Sequence, residues 1–410
     1  MAELERFKSF THRVRDLVQL VKDHNAGIYI SKENYGEGIN VIGVGNIYDN
    51  DIFDGEIYRL GPVNDDKFLL DEGDIVYGES SLVLEGIART ICVGKNGAGS
   101  AFAWHTRRVK LDNDLVDSHF ATLELNYHPV VRKHLMSVAT QTALTGMTTD
   151  GYFSAPLFLP SVPEQKKICE VFKNLDTLIT LHQRKLEKLK IIKKSMLENC
   201  FPKNGEKIPK FRFDGFSGDW EQRKFGEFTE LKSASRVHKE EWTSEGVPFY
   251  RSSDVMSAIN GTQNEKAFIS EELYEKLSAA SGKLEEGDVL VTGGGSVGNP
   301  YIVPNNEPLY TKDADLLWIK NQGRFDAYFI YEFFFSPTFR KYLESISHVG
   351  TIAHYTITQL SETPVFLPSL EEQKRVGDYF KNLDNLITLH QRKLEKLKVI
   401  KKSMLESMFV

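Results

Sequence analysis

Six residues in the second half of the chain have the spacing of a phosphate-binding loop: Gly293-Gly294-Gly295-Ser296-Val297-Gly298. They match the G-x-G-x-x-G pattern of dinucleotide-binding sites, in which a helix must follow so that its N-terminus faces the pyrophosphate. Here the pattern is followed by Asn299-Pro300-Tyr301-Ile302-Val303, which reads as a turn and then a strand. We therefore expect a loop that turns a hairpin, or that lets its backbone approach a ligand, and not a nucleotide site.

Other catalytic patterns are weak or missing. Asn299-Pro300-Tyr301 lacks the second proline of the Asn-Pro-Pro-Tyr signature of adenine methyltransferases, and the sequence has no GxxxxGK[ST] and no HExxH motif. Cys92, Cys169 and Cys200 are too scattered for a CxxC metal site or a disulfide framework. We therefore expect no catalytic residue, metal or cofactor on this chain.

A long internal repeat organises the 410 residues. Residues 158–201 and 366–409 are identical at 33 of 44 positions, at a constant offset of 208. Weaker similarities extend upstream: Arg15 corresponds to Arg223 at the same offset, and residues 70–78 resemble residues 284–293 at an offset of 214. The chain is therefore predicted to be a duplicated unit, each copy a globular domain followed by a helix.

The repeated segment is predicted to be a helix of about 36 residues, or roughly 54 Å, that ends near Asn199. Ser161 and Glu164 form a capping box, and Ser369 and Glu372 repeat it. Apolar residues recur at 3,4 spacing from Ile168 to Met196, with Leu178 and Ile192 widening the seam. The expected partner is the other copy, packed antiparallel; a bundle in another assembly, or pairing between chains, stays open. At the seam, His182 and His390 are interpreted as polar register residues rather than ligands.

The fold class is predicted to be α+β, with two similar strand-rich domains at residues 1–157 and 202–365 and helices at 158–201 and 366–410. The domain predictions rest on short β-branched or aromatic runs between glycine, asparagine and aspartate turns. Strands are expected at 39–44, 74–77, 90–93, 289–292, 301–303 and 316–319, and helices at Arg13–His24, Glu271–Ala279 and Phe325–Phe335.

Together these features resemble the specificity subunits of type I restriction-modification enzymes. The resemblance is carried by the duplicated FLPS-x-x-EQK…LITLHQRKLEKLK helices, by IPKFRFDGFSGDWEQRKFGEF (208–228) and by GTIAHYTITQLSETPVFLPS (350–369). It implies that each globular half recognises one half of a split, asymmetric double-stranded DNA site, while the helices hold the halves apart and bind two modification subunits. It further implies that adenine methylation with S-adenosylmethionine belongs to those partners, and that ATP- and Mg²⁺-dependent translocation and cleavage belong to a restriction subunit.

Candidate DNA contacts are polar, basic or aromatic residues, because such side chains reach base edges and phosphates. For any single one of them an ordinary role in a solvated loop stays open. The second-half cluster is the stronger group, because its polar and basic residues gather without helical or strand periodicity. In the first half they are Asn46, Tyr48, Ser80, Ser81, Arg107, Arg108, Gln141 and Thr145. In the second half they are Lys232, Ser233, Ser235, Arg236, His238, Lys239, Arg251, Ser252, Ser253, Ser296, Thr351, His354 and Tyr355.

The basic helix surface is a second candidate site. It could be a solvated face or a strip against the DNA backbone, but because the two copies match while the domains diverge, we favour docking of two equivalent subunits. The residues chosen are Arg184, Lys188, Arg392 and Lys396.

Charge and hydropathy indicate how strongly the chain binds DNA by itself and where in the cell it is found. The formal net charge is −6, and residues 158–201 carry 9 basic and 5 acidic residues (+4), whereas residues 1–157 carry 15 and 22 (−7). We therefore expect weak DNA affinity for the chain alone, with phosphate attraction coming largely from partners. No signal peptide or membrane span is expected, so we predict a cytoplasmic protein. The alternatives are a coiled-coil scaffold with protein-binding domains, and a self-contained modification enzyme.

Overall fold

A computed structural model describes residues 13–29, 35–48, 57–61, 63, 65–141, 144–203, 205–313, 315–346 and 354–409. The chain forms two compact units. The first comprises residues 1–182 and 393–410, and the second residues 183–392. Each unit thus contains a globular domain and parts of both long helices.

The first unit is built on a four-stranded antiparallel sheet, in the order 21–26, 106–111, 75–78, 90–92. Its core joins Ile75, Tyr77 and Val109 to Phe120 and Tyr152. The strands are Arg13–Asp16, Val21–Ala26, Tyr35–Ile42, Tyr58–Leu60, Ile75–Gly78, Ser80–Ser81, Thr90–Cys92, Ala101–Phe102, Thr106–Leu111, Thr140–Gln141, Thr145–Gly146 and Pro156–Leu159. The α-helices are Val44–Tyr48, Ser118–Tyr127, Pro129–Val138, Thr149–Phe153 and the first long helix, Val162–Asn199, and the 3-10 turns are Leu17–Leu20, Asp66–Phe68 and Leu84–Gly86.

The second unit has two four-stranded sheets, in the orders 231–233, 316–319, 289–292, 300–302 and 242–243, 267–269, 247–250, 310–311. Its core is aromatic and includes Phe225, Phe329, Phe333, Phe334 and Phe339. The strands are Glu221–Lys224, Leu231–Ser233, Trp242–Thr243, Val247–Tyr250, Ala267–Ile269, Val289–Thr292, Pro300–Ile302, Tyr310–Thr311, Leu316–Ile319 and Pro364–Leu367. The helices are Phe225–Phe228, Ser252–Asn260, Glu271–Ser281, Ala327–Phe335, Pro337–Ile346, Ile357–Glu362 and the second long helix, Leu370–Met408, with a 3-10 turn at Lys239–Glu241.

The two units share one framework. Arg15 pairs with Leu157 in the first unit, and Arg223 pairs with Val365 in the second, so both partners are displaced by 208. The loops before the strands Ile75–Gly78 and Val289–Thr292 also match. Gly73 and Gly287 both have positive φ. The N–H of Gly73 donates to the carbonyl of Val93, and the N–H of Gly287 donates to the carbonyl of Val303. The duplication predicted from the sequence is therefore confirmed at the level of strand register.

The long helices are buried along the predicted seam. In the first unit Ile168 and Phe172 of the first helix share a core with Leu405 of the second. In the second unit Leu189 shares a core with Phe380. Residue numbers rise along one helix as they fall along the other, which is the antiparallel arrangement expected.

Two ion pairs between the helices are equivalent in the repeat. Lys401 Nζ lies 2.5 Å from Asp176 Oδ1 in the first unit. Lys193 Nζ lies 2.7 Å from Asp384 Oδ1 in the second, where it also bonds Glu332 Oε1 at 2.8 Å. Both lysines and both aspartates are related by the offset of 208.

Two predictions about local structure are wrong. The segment Arg13–His24 is not helical: it forms the strand Arg13–Asp16, a 3-10 turn and the strand Val21–Ala26, because strands distant in sequence supply its hydrogen-bond partners. Leu178 does not widen the buried seam, since its side chain is exposed.

Candidate nucleic-acid interface

In both units a polar edge lies at the C-terminal end of one inner strand, Ile75–Gly78 in the first unit and Val289–Thr292 in the second. In the first unit, Glu79 N donates to His105 O, and Met147 N donates to Glu79 O, both at 2.9 Å. In the second, Gly293 N donates to Asp315 O at 2.7 Å, and Tyr355 N donates to Gly293 O at 2.8 Å. Three chain segments thus meet in the same way. We call residues 79–83, 104–107, 140–141 and 144–147 the first edge, and residues 293–299, 313, 315 and 354–355 the second edge.

The first edge brings together several candidates chosen from sequence. Ser80 and Ser81 pair with Gly146 and Thr145, and Thr145 also pairs with Gln141, in a small three-stranded sheet. Gln141 is exposed, whereas Ser81 and Thr145 are buried. This sheet fixes the backbone from which polar side chains project.

Arg107 lies on the first edge, but part of its charge is already neutralised. Its Nε donates to Glu79 Oε1 at 2.7 Å, with both side chains about one-fifth exposed. The Arg107 side chain is therefore mostly buried at the edge, and its candidate role stays a prediction.

Three other candidates of the first half lie elsewhere. Arg108 is buried, with Nη2 2.6 Å from Asp23 Oδ2, and Asn46 is buried, with Oδ1 accepting from Gly43 N at 2.9 Å. Both side chains stabilise the fold in this conformation, which disfavours a direct base contact. Tyr48 is the last residue of its short helix, and its side chain lies outside the described part.

The second edge is built on the glycine motif. A hairpin joins strands 289–292 and 300–302, as expected from Asn299-Pro300, so no helix follows the glycines. Gly295 and Ser296 are exposed, and Gly295 has a φ of 68°. Residues 294–298 also have the Gly-x-Ser-x-Gly spacing of a nucleophile elbow, which the sequence reasoning overlooked, but that motif likewise requires a strand-turn-helix.

Side-chain hydrogen bonds from Asn299 and Arg340 fix the conformation of this loop. Asn299 Nδ2 donates to Ser296 O at 2.8 Å, and Arg340 Nη2 donates to Asn299 Oδ1 at 3.0 Å. Arg340 is half-buried, and burial lowers the pKa of its guanidinium. Arg340 was not among the sequence candidates: it lies in the helix Pro337–Ile346, which was not predicted from the sequence, and its local sequence gives no sign that it supports a loop.

The exit segment of the second half contributes one exposed and one buried candidate. His354 is exposed beside the glycine loop, whereas Tyr355 is buried and its hydroxyl bonds Thr363 Oγ1. Tyr355 thus serves packing here, which disfavours a base contact. Thr351 lies outside the described residues.

The basic stretch 232–239 forms a strand end and an extended segment. Lys232 is partly buried over the Trp318 ring, and Ser235 N is held by Tyr310 Oη at 3.0 Å. The remaining candidates of this stretch, Ser233, Arg236, His238 and Lys239, are exposed. Exposed cations on a tethered segment suit phosphate contact.

Among the candidates at 251–253, Arg251 and Ser252 make hydrogen bonds within the unit, and Ser253 is exposed. Arg251 Nε donates to Asp254 Oδ2 at 2.9 Å, and its guanidinium stacks on Trp242. Ser252 Oγ donates to Asp315 O at 3.0 Å, which links it to the second edge. Ser253 is exposed and accepts from Asn264 Nδ2.

The docking candidates Arg184, Lys188, Arg392 and Lys396 are all exposed on the long helices. No described helix is long and apolar enough to cross a membrane.

Comparison with known proteins agrees with this arrangement. Residues 10–191 and 217–399 each match the type I restriction modification DNA specificity domain. The chain is 24% identical over 368 residues to the type I restriction enzyme MjaVIII specificity subunit of Methanocaldococcus jannaschii, covering 86% of this chain and 82% of that protein. It is 27% identical over 170 residues to a putative specificity subunit of Haemophilus influenzae, covering 40% of each chain.

A solved structure has the same fold. The S subunit of a type I restriction-modification system from M. genitalium superposes with a TM-score of 0.57 at 15% identity, covering 98% of this chain and 97% of that one. With two matches to one domain and a shared fold over nearly the whole length, the chain belongs to the type I restriction modification DNA specificity domain family.

Proposed function

We propose that each unit reads one half of a bipartite, asymmetric double-stranded DNA site, and that the chain itself catalyses no reaction. The observation that carries this is the pair of edges: one backbone framework, with the same hydrogen bonds at 79 and 293, presents different side chains in the two units. A shared scaffold with different reading residues is what two different half-sites require.

The chemistry at each edge would be base recognition. Hydroxyl, amide and imidazole groups such as Ser80, Gln141, Ser296 and His354 can donate to or accept from base edges, whereas Arg236 and Lys239 suit phosphates. The first long helix, 38 residues or about 57 Å, would set the spacing between half-sites. In this proposal the methyl donor S-adenosylmethionine is used by modification subunits, and ATP with Mg²⁺ by restriction subunits.

The helices would also dock the modification subunits. Exposed cations repeat at Arg184 and Arg392, and at Lys188 and Lys396, so two equivalent partners could use equivalent surfaces. Reversing these four charges should impair copurification with the modification subunit. The matched control reverses the exposed Lys166, Lys173, Lys374 and Lys381 of the same helices. Equal copurification of both variants would contradict the assignment.

Mapping adenine methylation in host DNA with and without this gene tests the proposal as a whole. Loss of one bipartite motif supports it, and an unchanged methylation pattern would favour a coiled-coil scaffold without a DNA role. Exchanging residues 208–365 for the segment of another family member should alter one half of the motif, and exchanging residues 1–157 should alter the other. A change in both halves after either exchange would refute the assignment of one unit to one half-site.

A further inference from the structure

Large apolar side chains are exposed on the first edge and against it, and none of them is among the candidate DNA contacts. Leu82 is 89% exposed, Val83 56%, Trp104 48% and Tyr29 71%. We call these four residues the apolar crest. Tyr29 and Trp104 are exposed and in contact with each other, and a contiguous exposed apolar surface is a candidate binding site.

The crest is rigidly presented. Trp104 and His105 form the tip of a tight turn closed by Thr106 N donating to Ala103 O at 2.8 Å. Tyr29 packs edge-on against Trp104, with ring centroids 5.3 Å apart. The backbone beneath is in close contact, since a Cβ on Gly27 would lie 1.9 Å from Ala103 O. Trp104 and Tyr29 are therefore positioned before any ligand arrives.

Leu82 is held in a similar way. Ser81 Oγ donates to Val83 O at 2.7 Å and accepts from Val83 N at 3.2 Å, which closes a turn around Leu82. The residue before this turn pairs with Gly146, so the turn belongs to the small sheet of the first edge. Leu82 thus projects from a fixed backbone into solvent.

The second edge has no equivalent crest among its described residues. Its loop presents Gly295 and Ser296, and the turn matching Trp104–His105 carries an ion pair between Lys312 and Asp315, 2.7 Å apart. Among the described residues of the two edges, the crest thus belongs to the first unit alone, as expected of a residue set that distinguishes one half-site from the other.

Building on the proposed function, we infer that the apolar crest is a specificity-determining base contact for the half-site read by the first unit. Apolar side chains gain nothing from phosphates. On DNA they gain from thymine methyl groups, or from base faces when a wedge opens a base step. Trp104 and Leu82 would make these contacts, with Tyr29 positioning Trp104.

The test uses the purified complex of the full chain with its modification subunits. Trp104→Ala with Leu82→Ser is compared with Trp104→Phe alone and with Val14→Ser, an exposed apolar residue on the strand Arg13–Asp16. Affinity is measured for cognate duplexes and for duplexes with single base-pair changes in each half-site, as a function of salt. The first half-site is the one that exchange of residues 208–365 leaves unchanged.

We expect the double variant to lose about 10- to 100-fold in cognate affinity, because a stacked base is worth about 1–3 kcal/mol. The double variant should discriminate less between cognate and base-changed duplexes at the first half-site, and equally well at the second. The dependence of its affinity on salt concentration should be unchanged, because no phosphate contact is lost. Trp104→Phe should retain most of the affinity, and Val14→Ser all of it.

Unchanged affinity and motif, equal relaxation at both half-sites, or loss of copurification with the modification subunits would each overturn the inference. The last outcome would assign the crest to a protein partner. A wild-type complex that methylates no bipartite motif would instead refute the proposed function itself.

Discussion

The interhelical lysines offer a test in which the repeat supplies its own control. In the second unit the Lys193 side chain is 19% exposed and bonds Asp384 and Glu332, the latter fully buried. Burial lowers the pKa of Lys193, but the two carboxylates outweigh it and raise the pKa overall, so the ammonium is charged at neutral pH. The equivalent Lys401 makes one pair with Asp176, which is 52% exposed.

The same substitution should therefore have different effects at the two positions. Removing one partner of a buried pair costs about 3–5 kcal/mol. Because Asp384 is 26% exposed and Glu332 can hold a proton, we expect Lys193→Met to lower the free energy of unfolding by about 2–3 kcal/mol. Lys401→Met breaks a mostly solvated pair and should cost at most about 1 kcal/mol.

Urea unfolding of the full chain at pH 7, with hydrogen exchange in the helix Ala327–Phe335, would measure both effects. Adding Asp384→Asn and Glu332→Gln to Lys193→Met should restore most of the lost stability, because the uncompensated carboxylates are then gone. Equal losses for the two lysine variants would refute the argument that burial sets their difference.

Three further predictions follow from buried or strained positions. Burial raises the pKa of Glu124 to about 8, so the native state holds a proton that the unfolded chain releases above about pH 4.5, and stability should fall from there to about pH 8. Between pH 5 and 7 the free energy of unfolding should drop by up to about 2.7 kcal/mol through this group, and Glu124→Gln should remove that contribution; a pH-independent wild type would contradict this. Gly298→Ala should lower the melting temperature of the second unit, because φ is +74° and a Cβ would lie 2.8 Å from Leu343 Cδ2, whereas Gly295→Asn, in open space, should be tolerated; equal effects in a thermal scan would be contrary evidence. Arg108→Met should reduce stability by about 1–3 kcal/mol through loss of the bond to Asp23, and a variant of normal stability with weakened DNA binding would restore Arg108 as a DNA contact.

Sequence periodicity predicted the bounds of helices and strands correctly where local sequence determines them. The first long helix ends at Asn199, and the strands Val289–Thr292 and Leu316–Ile319 match their predicted bounds. Where distant strands decide, periodicity misleads: the 3,4 spacing of Leu17, Leu20 and Val21 resembles a helix, but these residues belong to a 3-10 turn and a strand paired with Thr106–Leu111.

The candidate site was harder to predict because residue type does not reveal exposure. Arg108, Asn46 and Tyr355 have the chemistry of DNA contacts, yet all three are buried in their own unit. Trp104 was not among the sequence candidates, and its exposure is seen only in the structure, where it lies in the turn at Ala103–Thr106. The edges became recognisable once the shared hydrogen bonds at 79 and 293 were visible.

The equivalence of the Asp176–Lys401 and Asp384–Lys193 pairs has a genetic consequence. Because each long helix carries both the aspartate and the lysine, a helix of one sequence is complementary to a second copy of itself. An unequal crossover between the two repeats would leave a gene for about half of this chain, one recognition domain with one helix. Two such products could reconstitute the interhelical contacts as a homodimer with two identical edges. Under the proposed function, the site that such a dimer recognises would be a palindrome.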